Sequence, residues 1–240
     1  MKPYPPQDLA ALDALLADRH SAWWDGFYAD RARPVPFFGS APDECLHEWL
    51  ADGLIAPHGT ALDLGCGNGR NAVLLARSGF AEVTAVDYSQ AAISWATQRA
   101  SEAGVSLRLQ QASVFDLALA TGAYDLVYDS GLFHHLPPHR RDSYLQLVAA
   151  ALKPGGHFGM VCFRPEGGSG LSDAEVYERR SLGGGLGYSE PALREIWEGS
   201  TLFRIRQLRQ MKPQRPAESG LFGEGFLWAM LAQRQWEWHQ

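Results

Sequence analysis

The chain has 240 residues, 46% of them hydrophobic and 20% charged, enough to bury one sizeable core and too apolar for a disordered segment. A formal net charge of -6 and a pI of about 5.7 give no chain-wide electrostatic reason to bind nucleic acid or an anionic membrane, so small-molecule partners are expected. No stretch approaches the roughly 20 apolar residues of a membrane span, and the N-terminus has no apolar run behind basic residues, so a cytoplasmic location is expected.

Residues 1–55 read as two helices separated by the proline-rich "RARPVPFFGSAP", too irregular to stand as a domain. From 59 to 163, short apolar runs of strand length alternate with helical periodicity: Ala61–Leu64, Val83–Val86, Val105–Leu109, Leu126–Tyr128 and Phe158–Phe163 are the expected strands. A helix follows the N-cap Ser89, with Ile93, Ala96 and Ala100 on one stripe and Gly104 at its end. Another starts after "LPP" and runs through Tyr144 and Val148 to "LKPGG", where Pro154 and two glycines stop it. This alternation predicts a parallel sheet covered on both faces. Beyond it, Gly167 to Gly187 is long and glycine-rich, suited to a lid or binding loop and equally to a surface excursion. A helix near Pro191–Glu198 and strands near Leu202–Leu208 and Phe226–Gln233 complete the chain and close one sheet edge.

The stretch "ALDLGCGNGR" sets Gly65, Gly67 and Gly69 directly after the first expected strand, where an open parallel sheet binds its ligands. Glycine there lets the chain bend tightly and lets a ligand lie against bare amides. A phosphate-cradling loop would end in Gly-Lys-Ser/Thr, but Gly69 is followed by Arg70 and Asn71. A dinucleotide would prefer G-x-G-x-x-G, and Asp63 sets a carboxylate beside the turn that would hold its pyrophosphate. Asp87, ending the second strand, is the acid expected to take two ribose hydroxyls. Together these residues describe a nucleoside with a positive, phosphate-free tail.

"ALDLGCGNG", "VTAVDYS", "QQASVFDL" and "YDLVYDSGLFHHL" resemble, in order and spacing, the successive motifs of class I methyltransferases dependent on S-adenosylmethionine (SAM). The likeness covers residues 59 to 163. It implies a Rossmann-like α/β sandwich, a mostly parallel sheet in the order 3-2-1-4-5-7-6 with helices on both faces and an N-terminal helical cover. One domain is expected over 1–240: the cover at 1–58, the core at 59–163, and a substrate loop with C-terminal strands at 164–240. The resemblance places Asp63 and the Gly65–Cys66–Gly67 backbone at the methionyl end of SAM, with Asn71 opening the next helix beside them. It places Asp87 on the ribose, Tyr88 beside the adenine, and Ser113, Val114 and Phe115 at the base edge. Asp129, Ser130 and Gly131 fall near the sulfonium; many family members have Asp where Ser113 stands, which weakens the expected adenine contact. For Arg70, solvent is favoured over the cofactor carboxylate.

Within the superfamily, "SVFDL", "YDLVYDSG" and the N-terminal aromatics look like the subgroup of thiopurine, halide/thiol and tellurite-resistance methyltransferases. Such members use a tryptophan- and arginine-containing segment as a cover, which points here to Trp24, Tyr28 and Arg33. Aromatic faces stabilise a sulfonium by about 0.5–2 kcal/mol each without competing as nucleophiles. Trp24, Tyr28, Phe37, Phe38, Tyr177 and Tyr188 are candidates, and sealing a hydrophobic edge is the alternative role of each. His134 and His135 follow the fourth strand, where an imidazole suits general-base work at neutral pH; a polar link into the next helix is the alternative. Tyr177 joins them as a catalytic candidate.

Cys45, Cys66 and Cys162 are scattered without metal spacing, and His47, His58, His139 and His157 have no ligand-like partners, so no metal is expected. The basic run "RIRQLRQMKPQR" reads as one solvated strand face. The expected activity is methyl transfer from SAM to a small acceptor through S, N, O or a soft anion, by a monomer or homodimer. Two alternatives remain: cyclisation of SAM to azetidine-2-carboxylate with release of methylthioadenosine, and a non-catalytic SAM-binding protein.

Overall fold

The computed structural model describes residues 6–16 and 20–235. Residues 1–5 and 17–19 of the expected cover and the last five residues of the C-terminal segment lie outside the described residues. A seven-stranded sheet runs in the order β3-β2-β1-β4-β5-β7-β6. Its strands are β1 (Thr60–Leu64), β2 (Glu82–Asp87), β3 (Arg108–Gln111), β4 (Tyr124–Ser130), β5 (Leu152–Phe163), β6 (Phe203–Gln210) and β7 (Leu227–Arg234). The first five pair in parallel, and β7 inserts antiparallel between β5 and β6. This is the Rossmann-like class I methyltransferase fold that the motifs imply.

Central strands buried on both faces carry near-continuous apolar runs, as parallel sheets require. Leu62, Leu64, Val127, Phe158 and Met160 pack on one face; Ala61, Ala85, Leu126, Tyr128 and Val161 pack on the other. Between strands, α4 (Arg70–Ser78), α5 (Gln90–Ala103) and α6 (Arg141–Ala151) cover the sheet, and α8 (Glu190–Glu198) packs Trp197 on Phe158 at 4.6 Å. Ser89 caps α5 by accepting from Ala92 N, and Gly104 ends it in the left-handed region, as the sequence predicts.

Several boundaries differ from the sequence reading. The third strand starts at Arg108, not Val105, because the chain must first leave the C-cap of α5. Helix α6 ends at Ala151, but "LKPGG" continues as β5; Gly155, at φ 78°, turns the chain while a register shift opposite Tyr124 and Leu126 absorbs the irregularity. Among the described residues of the first 55, three α-helices stand where the sequence reading has two: α1 (Pro6–Leu15), α2 (Ser21–Ala29) and α3 (Glu44–Ala51). The glycine-rich stretch holds α7 (Asp173–Arg179), started by a reciprocal capping box between Ser172 and Glu175.

Two carboxylates pin the N-terminal helices over the sheet's C-terminal edge. Asp25 accepts from Ser89 Oγ at 2.7 Å and Ala91 N at 3.1 Å, so it also caps α5. Asp13 meets His139 Nε2 at 2.8 Å and forms an ion pair with Arg140. No helix among the described residues is long and apolar enough to cross a membrane.

Candidate functional site

The carboxyl ends of β1, β2 and β4, the loop after β3, the N-terminal helices and the link before β7 enclose one cavity of about 900 Å³. Its position follows from the chain order, which reverses between β1 and β4 and leaves a crevice there. Asp63, Gly65, Cys66, Gly67 and Asn71 line it from the first loop, Asp87 and Tyr88 from the second, and Ser113, Val114 and Phe115 from the third. Ser130, Gly131, His134 and His135 line it from the fourth, and Trp24 and Tyr28 from the cover.

The glycine loop is built for close approach. Gly65 and Gly67 have φ of 69° and 54°, and a Cβ at Gly67 would lie 2.7 Å from the Tyr28 hydroxyl oxygen. Gly67 N donates to Asp87 Oδ2 at 2.8 Å, while Ser89 N donates to Oδ1 at 2.8 Å. Asp87 therefore ties the ends of β1 and β2 together at the cavity wall. Burial raises its carboxyl to about 6, against the pull of the Ser89 and Gly67 amides. Asp63 is 1% exposed, and its Oδ2 has no hydrogen-bond partner. Burial, reinforced by neighbouring Asp43, raises its carboxyl to about 8 although Arg70 opposes the shift. A buried, unpartnered carboxylate oxygen at a cavity wall favours a cationic donor and disfavours a phosphate.

Beneath this loop lies a cluster that local sequence patterns do not reveal. Arg70 is only 7% exposed, not solvated: Nη2 meets Asp43 Oδ1 at 2.6 Å and Ser130 Oγ at 3.2 Å. Asn71 also turns to Asp43, donating to Oδ2 at 2.9 Å and accepting from its backbone N at 2.9 Å. The Tyr128 hydroxyl donates to Asp43 Oδ2 at 2.7 Å. Asn71 thus borders the cavity with its amide engaged, and Asp43 organises the floor from a segment far away in the chain.

Three expected site residues lie outside the cavity lining. Asp129 is fully buried beneath the fourth loop, where its carboxylate accepts from Leu132 N at 2.7 Å, Phe133 N at 3.1 Å and the Tyr144 hydroxyl. It shapes the loop that presents Ser130 and Gly131. Arg33 is exposed, with Asp30 at 3.9 Å and its guanidinium 5.0 Å from the Phe27 ring centre. Tyr177 sits on α7 with its hydroxyl 3.1 Å from both His139 N and Nδ1. Among the other aromatics, Phe37 reaches the cavity, whereas Phe38 packs on Trp95 and Tyr188 on Phe133. Asp129→Ala is expected to cost at least about 2 kcal/mol by stranding buried amides and the Tyr144 hydroxyl. Urea unfolding followed by circular dichroism checks it.

His134 is buried, its ring stacked on Phe163 with centroids 3.7 Å apart, and its carbonyl accepts from Leu186 N at 2.8 Å. His135 is half-buried, with its ring edge-on to Trp24 at 4.9 Å. The second imidazole therefore faces the cover and the cavity with less of its surface packed away.

Comparison with known proteins bears on this geometry. Residues 61–156 match the family described as "Methyltransferase domain". The chain is 28% identical over 151 residues to EEF1A lysine methyltransferase 2 of Danio rerio, covering 57% of this chain and 65% of that protein. It is 30% identical over 166 residues to 2-heptyl-1-hydroxyquinolin-4(1H)-one methyltransferase of Mycobacteroides abscessus, covering 69% of this chain and 67% of that protein. The chain belongs to the class I SAM-dependent methyltransferases. The matched region spans about two thirds of these two relatives' lengths. A solved structure described as "Conversion of a Disulfide Bond into a Thioacetal Group during Echinomycin Biosynthesis" aligns over 91% of this chain and 93% of that one, at TM-score 0.70 and 25% identity.

S-adenosylmethionine is the cofactor of this methyltransferase. The residues present fit it: an orphaned carboxylate oxygen on Asp63 suits an ammonium, and glycines without side chains at positive φ let a methionyl chain lie close to the backbone. Among the described residues, no lysine lines the cavity.

Proposed function

We propose that this methyltransferase moves a methyl group from SAM to a small, largely apolar acceptor, releasing S-adenosylhomocysteine (SAH). The observation that carries the reading is the extent of the cavity. At about 900 Å³ it lies at the upper end of ligand pockets, and it continues past the cofactor loops to Phe163, Leu182, Phe222 and Phe226. That extension leaves room for a second molecule, which supports transfer over cyclisation of SAM on itself.

When bound, SAM supplies an electrophilic methyl carbon on a sulfonium. The chain's own residues hold, orient and shield. Asp63 takes the ammonium, the Gly65–Gly67 backbone the methionyl chain, Asp87 the ribose hydroxyls, and Tyr88 with Ser113–Phe115 the adenine. Trp24 and Tyr28 cover the site and exclude water. Holding an acceptor in line with the methyl group supplies about 7–11 kcal/mol in the best intramolecular models, so positioning carries most of the catalysis. His135 takes the proton of a hydroxyl or amine acceptor, whereas a thiolate or soft anion needs no base. Sulfur acceptors fit the motif likeness to the thiopurine and halide/thiol subgroup.

Incubating the purified protein with SAM, alone and with phenols, arylamines, thiols and iodide, and weighing products by mass spectrometry tests this. Acceptor-dependent SAH supports transfer; methylthioadenosine without acceptor supports cyclisation; binding without product supports a scaffold. His135→Ala is expected to lower kcat for hydroxyl acceptors by roughly 10²-fold or more and to leave thiolate acceptors unchanged, checked by SAH release.

A further inference from the structure

Most charge around the cavity is already committed. Asp63 and Asp87 face the cofactor loops, Asp13 is paired with Arg140 and His139, and Arg70 with Asp43. Asp116 is exposed near Arg140. Glu224 differs from all of these. It lies half-buried in the cavity wall, in the link between the short helix α9 (Pro216–Ser219) and β7. Its backbone carbonyl accepts from Leu227 N at 3.1 Å, so the main chain holds the turn. Among the described residues no hydrogen bond or ion pair engages its carboxylate.

Its surroundings are aromatic. Phe222 and Phe226 flank it in sequence and line the same cavity, and Phe163 lies 6.2 Å from Phe226, centroid to centroid. An uncommitted carboxylate among aromatic faces attracts a cation or N–H donor by charge-assisted hydrogen bonding and cation–π contact, and repels anions. We propose that Glu224 is the acceptor-recognition residue: it binds an N–H or ammonium group carried by an aromatic acceptor and excludes carboxylates and phosphates. The assignment rests on the reading of this cavity as a methyl-acceptor site.

The test is calorimetric titration of SAH-loaded protein with tryptamine and with indole-3-propionate, which share a ring and differ in the sign of the side-chain charge. Wild type is expected to bind tryptamine about tenfold tighter, and Glu224→Gln to lose that margin while SAH affinity stays unchanged. Equal binding of the two probes, binding of neither, or an unchanged margin in Glu224→Gln overturns the proposal. The wild-type comparison decides by itself if the variant fails to fold. Failure of wild type to bind SAH overturns the cofactor reading and this assignment together, and the missing SAH isotherm tells that case apart.

Discussion

Replacing Asp87 with alanine is expected to weaken SAM binding by more than tenfold, and by at least about a hundredfold if contacts to both ribose hydroxyls are lost, at about 1.5–3 kcal/mol per charged hydrogen bond. The effect has two sources. The carboxylate is expected to take the ribose, and it also receives Gly67 N at 2.8 Å and Ser89 N at 2.8 Å, so its removal frees the glycine loop from the end of β2. Asp87→Asn separates them: an amide keeps the shape and one acceptor but sets an N–H against either the Gly67 or the Ser89 amide. Calorimetric SAM titration checks both variants, with thermal unfolding to confirm that each folds. An unchanged affinity in a folded Asp87→Ala protein removes the ribose assignment.

SAM affinity is expected to fall about tenfold per pH unit as the pH drops from 8 towards 6, one proton being taken up by Asp63. Burial lifts that carboxyl to about 8 in the ligand-free protein, so at neutral pH it is mostly protonated, and binding an ammonium requires it to ionise. Below about 6, protonation of Asp87 steepens the loss. For stability the sign is opposite. Asp63 has a folded value raised above its ordinary 3.8, so its contribution is fully present below about 4 and is lost as the pH rises towards 8. Asp63→Asn removes the titration. Relative to wild type, its ligand-free melting temperature should gain progressively from pH 4 to 8, while its SAM affinity falls at least tenfold at pH 8. Calorimetry and thermal unfolding across that range check both signs; a pH-independent SAM affinity contradicts the ammonium assignment.

The loops that line the cavity were legible because their signals are local. Short apolar runs fix β1, β2 and β4, glycines mark the positive-φ turn, and an acid ends β2, all within stretches of a few residues. What escaped depends on distance or context. Asp43 binds Arg70 and Asn71 from a segment nearly 30 residues earlier, and no periodicity announces a buried ion pair. Asp129 stands where a site acid is expected, yet Tyr144 on α6 and the backbone of its own loop claim it. Tyr177 is a catalytic candidate in the sequence, but α7 carries its hydroxyl to His139. A signal for α7 did exist, in the Ser172-x-x-Glu175 capping pattern, outweighed by the surrounding glycines. Glu224 had no motif at all, since only the fold brings the link before β7 to the cavity wall.

SAM is expected to lie against the glycine loop, with its amino end at Asp63 and its ribose at Asp87. A crystal structure of the protein with SAH measures this directly. The amino nitrogen is expected within hydrogen-bonding distance of Asp63 Oδ2, and both ribose hydroxyls at the Asp87 carboxylate. SAH bound elsewhere in the fold, or bound in the crevice with its ribose turned away from Asp87, would contradict it.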